Sequence, residues 1–272
     1  MRVALLQYPI AWADKETNLR LAEERIAALA GKADVAVLPE MFATGFCTDH
    51  PELAETMDGD IIRRLQAVAN HSGVAIVTSF ICLPAMGQRL VNRGFMITPR
   101  SISLPSKGEL EGIQIQDKRH LYAHGGEDLF FQPAQERCIF EYKGVKILLL
   151  VCYDLRFPVW LRNRGDYDAM ICVASWPAAR AEVWSTLLRA RAIENVAYVV
   201  GVNRVGDDPT THYAGGSVVF NYRGEALTAS SDTASVLSAE LDTDAQQTFR
   251  GKFPVERDAD DFELLIDKSA DR

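Results

Sequence analysis

The feature that most constrains the fold is a set of segments that are almost wholly apolar. Residues Val145–Val151 read VKILLLV and Ala169–Ala174 read AMICVA, so neither segment alternates polar with apolar side chains. Such runs predict strands buried on both faces, which occur in parallel sheets covered on each side. The chain is therefore expected to fold around a covered sheet.

Helical and strand patterns alternate along the rest of the sequence. The predicted helices are 15–29, 60–70, 157–164, 181–196 and 242–250. The other predicted strands are 3–7, 35–38, 74–80, 89–98, 139–142, 198–203, 218–220, 225–228 and 235–241. The later strands look half-buried, which predicts one mixed sheet, or two sheets packed on each other, with helices outside.

Length and charge limit the class of protein. A chain of 272 residues is near the upper limit for one hydrophobic core, and we expect one domain over residues 1–257 and an acidic tail over 258–272. The net charge of −8 argues against nucleic acid or an anionic membrane as a partner. No apolar run approaches the ~20 residues of a membrane span, and the N-terminus resembles a strand rather than a signal peptide.

The cysteines are odd in number and form no C-x-x-C pair. They are Cys47, Cys82, Cys138, Cys152 and Cys172. This pattern predicts free thiols in a reducing cytoplasm rather than a disulfide framework or a zinc finger. His120 and His124 have i,i+4 spacing, but the Gly125-Gly126 break and the lack of a third ligand argue against a metal site. No cofactor is expected.

Cys152 ends the first apolar strand and is followed by a polar turn containing Pro158. In open α/β sheets this edge is where ligands bind, so the thiol is a candidate nucleophile. The alternative is an inert, packed thiol, because cysteine is among the most buried residue types. Reactivity requires a partner that activates the thiol.

Two other polar residues also occupy conspicuous positions. Glu40 follows a buried strand and Pro39, and apolar residues come after it. A glutamate shielded from water can serve as a general base, although an exposed loop glutamate is the alternative. Lys118 lies in the charged run QDKRH, which could be a solvated face. Near a thiol, however, a lysine would stabilise both the thiolate and an oxyanion.

These three segments, in this order, resemble the motifs of the nitrilase superfamily of carbon–nitrogen hydrolases. The matching segments are LPE at 38–40, DKRH at 117–120 and CYDLRFP at 152–158. The resemblance continues through SWP at 175–177, RARAIEN at 189–195, GVNRVG at 201–206 and KFP at 252–254. It implies a single-domain four-layer α-β-β-α sandwich of two mixed sheets. It also implies a homodimer or larger assembly packed through outer helices.

The resemblance further implies amide hydrolysis through a thioester, without a metal or cofactor. Cys152 is then the nucleophile, Glu40 the base, and Lys118, with the backbone N–H of Tyr153, the oxyanion stabiliser. A second glutamate is expected in the loop after the lysine segment, where Glu127 is the first choice. Asp128 and Glu136 stay open as alternatives.

For the substrate, the segment FPVW at 157–160 with Trp176 and Arg180 looks most like the ω-amidase branch. Those enzymes hydrolyse the terminal amide of 2-oxo dicarboxylic acid monoamides such as 2-oxoglutaramate. The substrate is an anion, so Arg180 is expected to pair with its carboxylate, unless Arg180 is only solvated at a helix start. Phe42 and Phe46 are candidate pocket walls, with core packing as the alternative for each.

Other functions stay open at this point. One alternative is another amidase of the superfamily, acting on deaminated glutathione or on N-carbamoyl compounds. A different class would be a binding module with an inert thiol, or a redox sensor, but neither needs a base and an oxyanion donor. The loop at 207–217 departs from the ω-amidase pattern, because Gly216 stands where an aspartate is usual, and this leaves its role open.

Overall fold

The computed structural model describes residues 1–100 and 112–265. Its strands are β1 (Arg2–Gln7), β2 (Val35–Val37), β3 (Ala75–Cys82), β4 (Val91–Ile97), β5 (Ile113–Asp117), β6 (Ile139–Tyr142), β7 (Val145–Val151), β8 (Ala169–Ala174), β9 (Tyr198–Asn203), β10 (Val205–Asp207), β11 (His212–Ala214), β12 (Val218–Phe220) and β13 (Ser235–Glu240). Its α-helices are α1 (Lys15–Ala27), α2 (Asp60–Ser72), α3 (Glu127–Phe130), α4 (Pro158–Leu161), α5 (Ala181–Asn195) and α6 (Thr243–Lys252).

The strands form two mixed sheets and a small hairpin. One sheet has the order β13-β1-β2-β3-β4-β5, with a parallel centre of β1, β2 and β3. The other has the order β12-β9-β8-β7-β6, with a parallel centre of β7, β8 and β9. In both sheets antiparallel strands flank this centre, and the hairpin pairs β10 with β11.

The two sheets pack face to face. Val3, Val35 and Val77 of the first sheet share one buried apolar cluster with Leu149 and Val151 of the second. The opposite face of the first sheet packs against α1 and α2, and α5 covers the second sheet. The expected four-layer α-β-β-α sandwich is therefore confirmed.

A glycine allows the sheets to approach closely at one point. A Cβ added to Gly94 of β4 would lie 2.7 Å from the carbonyl oxygen of Gln116 and 2.9 Å from Cδ2 of Leu149 on β7. Any larger residue would have to push β4 and β7 apart, and both strands lead to the site described below.

Most elements lie where the sequence predicts them, and five strands have the predicted bounds. Two predictions were wrong. The helix predicted at 157–164 is only the four residues of α4, and the strand predicted at 225–228 is a single bridge between Ala226 and Phe220. The strand β5 was not predicted, because its sequence IQIQD is polar.

The C-terminal segment passes along the surface of the sandwich. Arg164 donates a hydrogen bond to the carbonyl oxygen of Phe262 at 2.8 Å, and its guanidinium lies 4.2 Å from the centre of the Phe262 ring. Residues 266–272 of the predicted tail lie outside the described part of the chain, and the domain boundary at 257 stays a prediction. None of the helices in residues 1–100 and 112–265 is long and apolar enough to cross a membrane.

Candidate active site

The polar residues singled out in the sequence meet at one edge of the sandwich. Glu40 lies just beyond β2 and Lys118 follows β5, so both come from the first sheet. Cys152 follows β7 in the second sheet. Because the two sheets are stacked, the ends of these strands bring the three side chains together.

The position of Glu40 is fixed by β3. The hydroxyl of Thr78 donates to the carbonyl oxygen of Pro39 at 2.7 Å, and the hydroxyl of Ser79 accepts from the N–H of Met41 at 3.0 Å. Glu40 is fully buried, and its Oε2 accepts from the backbone N–H of Ser175, beyond β8, at 3.0 Å. This carboxylate therefore joins the two sheets.

Lys118 lies between two carboxylates. Its Nζ is 2.9 Å from Oε1 of Glu40 and 2.8 Å from Oε2 of Glu127, and none of the three side chains is accessible to solvent. Burial alone would lower the pKa of Lys118, but the charges of Glu127 and Glu40 outweigh it and raise that pKa. The ammonium group is therefore held in its charged form.

Glu127, rather than Asp128 or Glu136, completes this cluster. Its Oε2 also accepts from the backbone N–H of Tyr122 at 2.7 Å. Burial raises the pKa of Glu127, and the Lys118 charge opposes that rise. Asp128 and Glu136 are both exposed, so the structure brings together only the first of the three candidates.

The sequence did not reveal Asn92, which also belongs to the cluster. This residue of β4 is fully buried. Its Nδ2 donates to Oε1 of Glu40 at 2.9 Å and to Oε1 of Glu127 at 3.0 Å. The only sequence signal was a polar residue among the apolar residues of a predicted strand. Asn92 keeps the two carboxylates side by side next to a single lysine.

Cys152 occupies a sharp bend between β7 and the 3-10 turn Cys152–Arg156. Its φ of +47° lies in the left-handed region that non-glycine residues rarely adopt. Burial raises the pKa of the Cys152 thiol, the Glu40 charge raises it further, and the Lys118 charge opposes both. The resting sulfur is therefore a thiol, and attack by sulfur requires a base that accepts its proton.

A cavity of about 840 Å³ opens above the cluster. Its lining includes Lys118, Cys152, Tyr153, Trp176, Arg180 and Phe46. Phe42 does not line it. This side chain is fully buried in the apolar cluster formed with α1 and α2, so the structure gives it the core position that was the alternative reading.

Two guanidinium groups face the cavity. Arg180 donates to the hydroxyl of Tyr122 at 3.2 Å, and Arg156 lies 5.2 Å from the centre of the Trp176 ring. Neither pairs with a carboxylate in the described part of the chain. Arg156 was missed in the sequence, although it is the fifth residue of the CYDLRFP motif.

The loop that departs from the ω-amidase pattern forms part of the cavity wall. It folds as the β10–β11 hairpin, and Asp208, Thr211 and Tyr213 line the cavity. The hydroxyl of Tyr213 donates to the Asp208 carboxylate at 2.6 Å. Gly216 lies outside the cavity, where its carbonyl oxygen accepts from Nε1 of Trp184 at 2.9 Å.

The histidine pair has other contacts. The His120 ring nitrogen Nδ1 is 2.8 Å from the Asp154 carboxylate, and the His124 ring lies 5.9 Å from that of Tyr122. Residues 1–100 and 112–265 contain no group of three or more histidine, cysteine or acidic side chains placed to hold a metal ion.

The stacked sheets, with a glutamate, a lysine and a cysteine at their shared edge, define a member of the nitrilase superfamily. The Carbon-nitrogen hydrolase family model matches residues 2–250, so the chain belongs to that family and is a hydrolase acting on carbon–nitrogen bonds.

Several known proteins are similar to the chain over nearly its whole length. "Omega-amidase YafV" of Escherichia coli K12 is 41% identical over 97% of this chain and 98% of its own. "2-oxoglutaramate amidase" of Bacillus subtilis is 30% identical over 93% and 95%. A CN-hydrolase superfamily protein from Xanthomonas campestris, solved with an arsenic adduct in its active site, is 37% identical with a TM-score of 0.90, covering 97% of this chain and 99% of that one.

Proposed function

We propose that the protein is an ω-amidase that hydrolyses the terminal amide of 2-oxo dicarboxylic acid monoamides such as 2-oxoglutaramate. The observation that carries the proposal is that two guanidinium groups, those of Arg156 and Arg180, line the cavity that also contains Cys152, and neither pairs with a carboxylate among residues 1–100 and 112–265. An anionic substrate could place its carboxylate against them and its far amide at the sulfur. The names of the relatives from E. coli and B. subtilis support the same substrate class.

The proposed reaction begins when Cys152 attacks the amide carbon and Glu40 takes the thiol proton. Lys118 and the backbone N–H of Tyr153 stabilise the oxyanion of the tetrahedral intermediate. Glu40 then returns the proton to the nitrogen, ammonia leaves, and a thioester forms. Water, activated by Glu40, attacks the thioester and releases the acid. Lys118 donates hydrogen bonds to Glu40 and to Glu127, which supports a role for Glu127 in orienting that lysine.

The test of the reaction is ammonia release from a panel of amides. The panel contains 2-oxoglutaramate, deaminated glutathione, an N-carbamoyl amino acid and a nitrile. We expect 2-oxoglutaramate to be the best substrate and Cys152→Ala to abolish turnover, with an acyl adduct on Cys152 detected by intact mass in the wild type. Cys138→Ala is the matched control, because that thiol is exposed and does not line the cavity. Wild-type turnover by Cys152→Ala would refute the assignment.

The carboxylate pairing has its own test. Arg180→Ala and Arg156→Ala should each lower kcat/KM for 2-oxoglutaramate by about 10- to 100-fold, since hydrogen bonds to a charged group contribute about 1.5–3 kcal/mol. An uncharged primary amide should be affected much less. The control is Arg63→Ala, which removes an exposed arginine side chain from α2. Equal losses for charged and neutral amides would argue against the pairing.

We further propose a homo-oligomer formed through outer helices, in the cytoplasm. Exposed apolar side chains on those helices support the assembly: Val159 on α4 is 54% exposed and Ile193 on α5 is 49% exposed. The five free cysteines are in keeping with a reducing compartment. Light scattering of the wild type beside Ile193→Asp tests the assembly, and a monomeric wild type would refute it.

A further inference from the structure

We propose that Asp154 is a positioning residue that sets Lys118 against Cys152, with its single carboxylate joining the two chain segments that carry them. The proposal rests on the roles proposed above for Lys118 and Cys152. Asp154 itself does not line the cavity, and its side chain is 3% exposed.

One oxygen of this carboxylate holds the segment that carries the nucleophile. Oδ2 accepts from the backbone N–H of Val151 at 3.1 Å. Val151 directly precedes Cys152, whose left-handed φ of +47° places the residue in a sparsely populated conformation. Such a conformation persists only where surrounding contacts enforce it. The bond to Val151 fixes the chain at the point where that bend begins.

The other oxygen holds the segment that carries the lysine. Oδ1 lies 2.8 Å from the backbone nitrogen of His120 and 2.8 Å from Nδ1 of its ring. His120 is two residues beyond Lys118. Its ring stacks on Phe157, with centroids 3.7 Å apart and planes at 5°, so it has little freedom to move away. Asp154 is therefore a buried link between the end of β5 and the end of β7.

This link requires two acceptor oxygens. An asparagine has the same shape but only one acceptor, so its NH₂ group would face an N–H donor of either Val151 or His120. Asp154→Asn should therefore loosen one of the two segments without replacing any side chain that lines the cavity. A displacement of about 1 Å is enough to cost about 100-fold in rate.

The first readout separates kcat from KM. We expect Asp154→Asn to lower kcat about 10- to 100-fold with KM unchanged, because the substrate contacts stay in place. Asp168→Asn is the matched control. Asp168 is also a largely buried carboxylate, bound to the N–H of Lys146 at 3.0 Å and to Arg250 at 3.1 Å, but it precedes β8 at the opposite end of the sheet. The Asp168→Asn substitution should lower the free energy of unfolding without lowering kcat.

The second readout is alkylation of Cys152 by iodoacetamide as a function of pH, which requires no knowledge of the physiological amide. Removing the negative charge of Asp154 would by itself favour the thiolate and move the profile to lower pH. Losing the nearby Lys118 charge would move it to higher pH. The positioning role predicts the second direction, and a shift to lower pH would overturn it.

A third variant keeps the proposal testable if Asp154→Asn does not fold. His120→Asn removes the ring contact to Asp154 and retains the backbone one, so we expect a smaller fall in kcat, again with KM unchanged. Wild-type kcat and alkylation in the folded variant would refute the proposal. A positive alkylation result with no turnover of 2-oxoglutaramate by the wild type would instead refute the proposed substrate.

Discussion

Substitution of Asn92 tests how hydrogen bonds stabilise the buried cluster of Glu40, Lys118 and Glu127. Asn92→Leu keeps the approximate size of the side chain and removes the donor shared by Glu40 and Glu127. Each hydrogen bond to a charged group contributes about 1.5–3 kcal/mol, so losing two costs about 3–6 kcal/mol. Oδ1 of Asn92 has no hydrogen-bond partner among the described residues. Removing this unsatisfied buried acceptor should offset about 1–3 kcal/mol of the lost stability. The net destabilisation should therefore be about 2.5 kcal/mol, within a range of about 0–5 kcal/mol.

The same substitution should change the pH dependence of catalysis. The lost donor favoured the ionised form of Glu127, and a loss of about 1.4 kcal/mol corresponds to one pKa unit. The pKa of Glu127, already raised by burial, should therefore rise by about one further unit. Protonated Glu127 no longer attracts the Lys118 ammonium, so activity should be lost at a higher pH during acidification than in the wild type.

Two measurements check this reasoning. Urea unfolding gives the stability change, and ammonia release at a series of pH values gives the acid limb of kcat/KM. Val91→Ala, next to Asn92 on β4, is a control that costs packing but removes no hydrogen-bond donor from the carboxylates. An Asn92→Leu protein with the wild-type acid limb would show that Asn92 does not favour the ionised form of Glu127.

Three further outcomes follow from the structure. The rate of Cys152 alkylation should still increase with pH at pH 9.0, the ordinary pKa of a thiol, because burial raises the pKa of Cys152 well above that value. A rate that levels off near neutral pH would contradict this. Gly94→Ala should lower the stability measured by thermal unfolding by about 1–3 kcal/mol, because its added Cβ would force β4 away from β7. The control is Gly251→Ala, whose added Cβ has nothing within 4 Å and should cause no loss of stability. For Asp34, burial raises the pKa, but hydrogen bonds from the Arg2 N–H and Lys143 outweigh it and lower the pKa from 3.8 to about 2. Asp34→Asn should therefore lower the free energy of unfolding by roughly 1–2 kcal/mol at neutral pH, and this difference from wild type should vanish as the pH falls from 3.8 towards 2. A difference that stays constant with pH would show that the Asp34 charge does not contribute to stability.

The sequence predicts the strand-end positions of Glu40 and Cys152 because each follows a segment with a strong local pattern. Lys118 was found by its place in the charged run instead, since the polar sequence of β5 gave no strand signal. Such patterns define where a strand ends and which residue comes next. They also predict the parallel core, since β7, β8 and β9 are almost wholly apolar.

Other parts of the site depend on contacts between distant segments. The choice of Glu127 over Asp128 depends on how the short helix α3 is placed, and neighbouring acidic residues look alike in sequence. Phe42 was a candidate pocket wall, but the left-handed turn at Met41, with φ of +48°, leads the chain into the layer of α1 and α2. Asn92 gave too weak a signal, because its role requires two carboxylates 52 and 35 residues away.

The division of the cluster between two sheets also bears on how the enzyme matures. Neither sheet alone holds both the Cys152 sulfur and Glu40, its proposed proton acceptor, so a chain with correct strands but undocked layers should be inactive. During refolding, the far-ultraviolet signal of the strands should return before ammonia release does. The delay between these two signals would measure how long one sheet takes to dock on the other. The return of turnover would then report the last large step of assembly.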